Sequence, residues 1–276
     1  VPGALFSASP LCGFAPLSVV FTDGSSYSPT SWEWRAFGDS IDSVLQNPTI
    51  VFPSVGLYSP SLKATNVFGS DIYARSNYIA VANPFPISSF TEVDAGGCLS
   101  GLSYPVTITN QPQNTNAYIV KDYGVSSIDA YDILLVGKIT GGSTYCIIPI
   151  AALGLNCPCA VSGGGYNICV FFNKPSAGAY SVYIQLFNGV TGGAVDYCSI
   201  SVNTYYYMRL VHASGSSTVY LYVYSDASFT TLVDTLSITD AACASLFRYF
   251  YICSTYNNAT SLVGSAVILN SGYIDI

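Results

Sequence analysis

The sequence predicts an all-β protein organised as tandem β-sandwich domains, and three observations carry that expectation. Apolar residues alternate with polar ones or run in short blocks, and apolar stripes at helical spacing are nearly absent. The blocks are bounded by turn-forming pairs: Asp23-Gly24, Gly96-Gly97, Gly141-Gly142, Asn188-Gly189 and Gly192-Gly193, with a triplet at Gly163-Gly164-Gly165. A chain of 276 residues is also long for a single hydrophobic core, so two or three domains are expected.

Taken in order, residues 17–21, 78–81, 106–109, 117–120, 133–137, 168–172, 180–187 and 219–224 have strand length and are rich in β-branched and aromatic side chains. The chain closes on two more such runs, 267–270 and 273–276. A closing strand either joins its own sheet or adds to the open edge of a neighbour. The clearest boundary is Asn83-Pro84-Phe85-Pro86, whose prolines cannot continue a ladder. Residues 1–83 therefore form one unit and 86–203 a second. After a break at Val202-Asn203-Thr204, residues 204–276 are either a third β domain or the closing strands of the second.

Composition excludes several function classes. Only 8% of residues are charged, against about a quarter in ordinary globular chains, so the surface is dressed in Ser, Thr, Asn, Gly and Tyr or covered by partners. A net charge of −7 offers no basic patch for phosphates, which argues against nucleic acid as a partner. The most apolar stretch, 146–161, is broken by Pro149, Gly154, Asn156 and Pro158. A spanning helix needs about 20 apolar residues in a row, so the chain is not expected to span a membrane by a helix.

Nine cysteines in a chain opening on Val1 read as a processed, extracellular protein from an oxidising compartment, or as a chain trimmed at its start. Zinc is a poor account of them, because Cys157-Pro158-Cys159 is the only close pair and there is a single histidine. Disulfides are expected among Cys98, Cys146, Cys157, Cys159, Cys169, Cys198, Cys243 and Cys253, with Cys12 as the odd thiol. Cys243 and Cys253, ten residues apart across an expected hairpin, are the one pair that spacing names.

The first unit carries a run of motifs. Gly13-Phe14-Ala15-Pro16-Leu17 leads into Val19-Val20-Phe21-Thr22-Asp23. Ser31-Trp32-Glu33-Trp34, Phe37-Gly38-Asp39, Gln46-Asn47-Pro48-Thr49, Gly56-Leu57-Tyr58 and Leu62-Lys63-Ala64-Thr65-Asn66 with Gly69-Ser70 follow. In kind and order these resemble the PKD family, an immunoglobulin-like β-sandwich of extracellular and cell-surface proteins. The resemblance implies a spacer or interaction module without catalytic residues, and it extends to the tandem architecture as immunoglobulin-like. Arg35 and Ala36 both intervene between Trp34 and Phe37, one residue more than the family pattern, which reads as a bulge. Trp34 is then the large core residue, Gly38-Asp39 a turn whose carboxylate accepts backbone N–H bonds, and Asn47-Pro48 a fixed turn. Further on, Tyr207-Met208-Arg209-Leu210-Val211-His212-Ala213-Ser214 looks like the opening of small immunoglobulin-like domains of secreted surface proteins.

Few residues in the chain are placed for chemistry. The close acidic pairs are Asp39/Asp42, Glu92/Asp94 and Asp129/Asp132. Glu92 and Asp94, two apart, share one face of an extended segment and could bind calcium, yet no EF-hand loop pattern is present, and all three pairs read as solvated turns. His212, inside an expected strand, reads as a structural imidazole, and no G-x-S-x-G elbow exists for it to serve. No catalytic residue, metal site or cofactor is expected, and the protein reads as a non-enzyme.

Tyrosine stands out, with 23 copies. Val219-Tyr220-Leu221-Tyr222-Val223-Tyr224 places three aliphatics on one strand face and three tyrosines on the other. With Tyr205, Tyr206 and Tyr207 these tyrosines are candidates for a subunit contact or a ligand face. Asn258-Ala259-Thr260 is an N-glycosylation acceptor pattern. The leading expectation is a structural subunit of an extracellular filament, pilus-like appendage or surface layer whose partners are copies of itself. The alternative is a cell-surface adhesin or carbohydrate-binding module with glycans as partners, and a further one is a virion or tail structural protein.

Overall fold

A computed structural model describes the chain except residues 95–98, 101–103, 112–115, 124–127, 143–146, 155–166, 177, 188–191, 245–246, 257–263 and 274–276. Among the described residues there is no α-helix, and almost everything ordered is strand. The chain divides into two compact units: Val1–Pro84 with Asp226–Thr231 and Gly272–Ile276, and Phe85–Ser225 with Leu232–Ser271.

The first unit holds β1 (Phe6–Ser9), β2 (Cys12–Phe14), β3 (Leu17–Asp23), β4 (Ser31–Arg35), β5 (Thr49–Phe52), β6 (Gly56–Tyr58), β7 (Ser61–Asn66), β8 (Gly69–Ala74) and β9 (Ile79–Pro84). One sheet runs β1-β3-β5 and another β4-β7-β8, while β9 takes β2 in parallel and β6 antiparallel. Period-two alternation explains the core. Phe6, Val19, Phe21, Ile50, Phe52 and Leu62 face inward around Trp34, which is almost wholly buried. The rings of Phe6 and Phe21 lie 5.3 and 5.2 Å from Trp34.

The extra residue after Trp34 is accommodated at the end of β4. Ala36 turns into the core, and its N–H and that of Phe37 are taken by the carboxylate of Asp42. The turn-capping role expected for Asp39 thus falls to Asp42, because the peptide of Trp34 pairs with Ser43 and brings residue 42 back under the bend. Asp39 is exposed.

The second unit contains β10 (Thr91–Asp94), β11 (Val106–Gln111), β12 (Asn116–Asp122), β13 (Tyr131–Gly142), β14 (Ile147–Gly154), β15 (Asn167–Ser176), β16 (Ala179–Phe187) and β17 (Gly192–Ile200). It continues with β18 (Tyr206–His212), β19 (Thr218–Tyr224), β20 (Leu232–Thr239), β21 (Tyr249–Tyr256) and β22 (Gly264–Tyr273). A seven-stranded sheet has the order β10-β12-β21-β14-β15-β16-β17. In the other sheet the order is β22-β13-β18-β19-β20, with β11 also on β22. Val182, Ile184 and Leu186 of the first sheet and Val219, Leu221 and Val223 of the second are fully buried. The edge strands meet where Ser237 N–H donates to Asp196 Oδ2 at 2.9 Å.

Residues 204–276 do not stand apart as a third domain. β18 pairs with β13 from Tyr131↔His212 to Gly137↔Tyr206, so the strands after Asn203 complete sheets begun before it. Gly141-Gly142, read as a turn, extends β13 instead. The closing strand β22 is flanked within its own chain by β11 and β13, and Ile274, Asp275 and Ile276 of the expected final run lie outside the described residues.

Candidate functional site

Of the acidic pairs singled out by the sequence, Asp42, Asp94, Asp129 and Asp132 are engaged in structure. Asp132 forms a two-pronged ion pair with Arg209, with Nε to Oδ1 at 2.8 Å. Asp129 accepts Ser214 Oγ and Gly215 N–H, and these bonds hold its carboxyl below the usual carboxylate range. Glu92 and Asp94 lie on β10, and Asp94 Oδ2 accepts the Leu99 N–H at 2.9 Å. Among the described residues, no three His, Cys, Asp or Glu side chains gather as metal ligands. His212 is buried against the Tyr131 ring, with Nδ1 2.6 Å from the Asp129 carbonyl and Nε2 2.7 Å from the Ser216 carbonyl. Both ring nitrogens are thereby occupied with backbone.

No disulfide is formed among the described residues, contrary to expectation. Cys198 and Cys243 are buried thiols. Cys243 sits in a short 3-10 turn, Ala241–Ala244, rather than on a strand paired with Cys253, which lies opposite Ile119 on β21. The expected Cys243–Cys253 link is therefore not made. Burial first, and then Asp234 and Asp196, push the Cys198 thiol up to about 12, and burial raises Cys243 as well. Cys12 and Cys169 are also buried. Cys98, Cys146, Cys157, Cys159 and Asn258 lie outside the described residues.

The tyrosines of β19 keep the predicted alternation. Tyr220 and Tyr222 point away from the core with ring centroids 6.2 Å apart, and Tyr224 stands opposite Tyr207. That face is not uniformly aromatic, since Tyr222 is the cross-strand partner of Arg209. Tyr206 is buried and its hydroxyl accepts the Ser201 N–H at 2.9 Å, while Tyr205 lies under Lys138 at 4.5 Å.

A different aromatic group, not singled out by the sequence, is the most organised. It lies on β15, β16 and β17, at the edge of the seven-stranded sheet. Even-numbered Val182, Ile184 and Leu186 face the core, so Ser181, Tyr183, Gln185 and Phe187 share the other face. The register sets Phe171, Tyr183 and Tyr197 directly opposite one another across the three strands. Their rings stack, with centroids 5.1 Å apart at 13° and 4.7 Å apart at 15°. Exposure grades outward along this row: Phe171 is buried, Tyr183 half-buried and Tyr197 56% exposed on the last strand.

Polar neutral side chains flank the row. On one side the register gives Gln185 opposite Val195, and on the other Asn173, Ser181 and Ser199. Asn173 hydrogen-bonds the Tyr183 phenol, which burial and then the phenol of Tyr197 push above its ordinary value. Next to Phe187, Asn167 is buried, and its Oδ1 has no hydrogen-bond partner among the described residues. No charged residue stands in these rows. The strand 180–187 was legible in the sequence; the alignment of residues 171, 183 and 197 depends on register, which no local pattern encodes.

No family model and no curated protein matches the sequence. Among solved structures the chain is similar to a legume lectin-like domain from Entamoeba histolytica, with a TM-score of 0.50 at 12% identity over 71% of this chain and 96% of that one. It is also similar to a carbohydrate-binding module of the β-sandwich superfamily, with a TM-score of 0.43 at 12% identity over 99% and 98% of the two chains. Peanut lectin matches with a TM-score of 0.42 at 12% identity over 70% and 94%. At this identity the likeness is one of fold, and the lectin-like domain places this chain among the β-sandwiches.

Proposed function

We propose that the protein is a carbohydrate-binding module of adhesin type, which holds a neutral saccharide against the exposed ring of Tyr197 at the β17 edge of the seven-stranded sheet. The observation that carries this reading is the stacked row Phe171–Tyr183–Tyr197, which ends at the sheet edge in an exposed ring. Rings packed face to face offer their free face only at the end of the stack. Tyr197 is that end, and an aromatic face, electron-rich at its centre, attracts the weakly positive C–H face of a pyranose. Gln185 and Asn173 carry amide donors and acceptors on the same sheet face. The absence of charge in these rows suits a neutral sugar better than an acidic one.

On the same reading the first unit is a PKD-like spacer or interaction module, the architecture is a tandem of immunoglobulin-like sandwiches, and the protein works outside the cell without catalysing a reaction. The likeness in fold to a lectin-like domain supports this reading over the filament subunit expected from composition. No observation favours a homopolymer, and the closing strand has partners in its own sheet.

The test is titration calorimetry of the full chain against maltopentaose, cellopentaose, N-acetylchitopentaose and lacto-N-tetraose, with sizing chromatography alongside. Tyr197→Ala is expected to weaken binding of the preferred sugar about tenfold, a loss of about 1.4 kcal/mol, while Tyr220→Ala leaves it unchanged. A protein that binds none of these sugars, or a Tyr197→Ala variant that binds as tightly as the parent, overturns the reading.

A further inference from the structure

The first unit carries an aromatic concavity that its fold does not require. The turn between β3 and β4 and the hairpin between β7 and β8 converge there. With Val1 they enclose an open hollow of about 520 Å³ lined by Val1, Tyr27, Ser28, Asn66 and Phe68. Tyr27 and Phe68 are each 77% exposed, so neither ring contributes to the core.

Two features set the hollow apart from chance surface apolarity. Tyr27 and Ser28 are consecutive residues at positive φ, 58° and 48°. Left-handed backbone disfavours any residue with a β-carbon, and bulky ones most. A turn alone would be met at lower cost by glycine or asparagine; here the strained residue holds out a ring the core does not use. Such strain persists only where the surroundings fix it, and they do. Asn66 Nδ2 donates to the Tyr27 carbonyl at 2.8 Å, its Oδ1 accepts the Phe68 N–H at 2.9 Å, and Ser26 N–H donates to the Gly3 carbonyl at 3.0 Å. One asparagine thus pins both aromatic-bearing loops in place. The second feature is chemistry. Two aromatic side chains, a hydroxyl and an amide line the hollow, with no charged side chain among them.

The geometry points to a second saccharide-binding site at this tip, in which a neutral pyranose lies against Tyr27 and Phe68 and its hydroxyls meet Ser28. This goes beyond the site on β15, β16 and β17, shares only its ligand class, and stands whether or not that site binds sugar. With both sites active the chain carries two saccharide sites, one on each unit.

The experiment is saturation-transfer NMR and calorimetry on the full chain with the same four neutral oligosaccharides, with 6'-sialyllactose as the charged control. The double variant Tyr27→Ala/Phe68→Ala is expected to weaken one class of site about tenfold or more and to lower the stoichiometry from two to one. Both rings are exposed, so circular dichroism and tryptophan fluorescence should be unchanged, and Phe68→Tyr should retain binding. Tyr197→Ala reports on the other site. If it alone abolishes binding and the tip variant is silent, the tip proposal fails while the platform stands; the reverse result refutes the platform and supports the tip. A tip variant that changes only partitioning onto phosphatidylcholine vesicles, or only the mass of the particle in solution, overturns the saccharide assignment.

Discussion

Replacing Arg209 by methionine strands a carboxylate inside the second unit. Asp132 is only 2% exposed at its side chain, and the guanidinium of Arg209 takes both of its oxygens from the neighbouring strand β18. Removing one member of a buried ion pair costs about 3–5 kcal/mol, because the other charge stays desolvated. Arg209 is itself 24% exposed, so some water reaches the pair and the lower end, about 3 kcal/mol, is expected. For a unit of this size that loss lowers the midpoint of thermal unfolding by about 6–12 °C. Adding Asp132→Asn removes the stranded charge and should restore most of the loss, a coupling that a double-mutant cycle measures. Far-UV circular dichroism reports the strands of both units, whereas both tryptophans, Trp32 and Trp34, belong to the first, so the shift should appear in the dichroism transition and not in the fluorescence one. A shift below about 2 °C in Arg209→Met, or a double variant no more stable than the single one, would show that the pair is solvated and would refute the reasoning.

Two further outcomes follow from titratable groups. Burial pushes the Asp23 carboxyl up, but hydrogen bonds from Ser25, Gln46 and Trp32 outweigh it and hold the group below its ordinary value. A depressed carboxylate adds stability that is fully present above its unfolded pKa, about 3.9, and is lost as pH falls through the lower folded value. Acid should therefore weaken the first unit in that window, read by Trp32 fluorescence because its indole N–H donates to Asp23 at 2.8 Å. Asp23→Asn should flatten the dependence, and an unchanged acid limb would count against it. Cys198, with its thiol raised to about 12, should resist iodoacetamide at pH 8 in the folded protein and alkylate on unfolding, as peptide mass spectrometry would show. Rapid labelling of the native chain would contradict the burial described here.

The sequence determined the class of this protein through side-chain period. Val19 and Phe21, or Val219, Leu221 and Val223, alternate with polar residues, and a pleated strand has one face to bury, so strand content and core residues were legible locally. Trp34 was legible as a core residue for the same reason: a large apolar ring in an extended run has nowhere else to go. Charge poverty and tyrosine richness were also legible, but they describe a surface without saying how it is arranged. Asp39 was preferred to Asp42 because a turn motif is read locally, while the capping carboxylate was chosen by the Trp34–Ser43 pairing.

Only the tertiary structure decided which tyrosines act together. Register between β15, β16 and β17 is a long-range property, set by the packing of whole inner faces, and a slip of one residue would scatter Phe171, Tyr183 and Tyr197 to opposite sides. The same holds at the tip of the first unit, where Tyr27 and Phe68 meet although 41 positions of chain numbering separate them, because Asn66 hydrogen-bonds across the two loops. The chain encoded its strands by short-range alternation; its candidate binding faces came from the pairing of segments far apart in sequence, which alternation leaves undetermined.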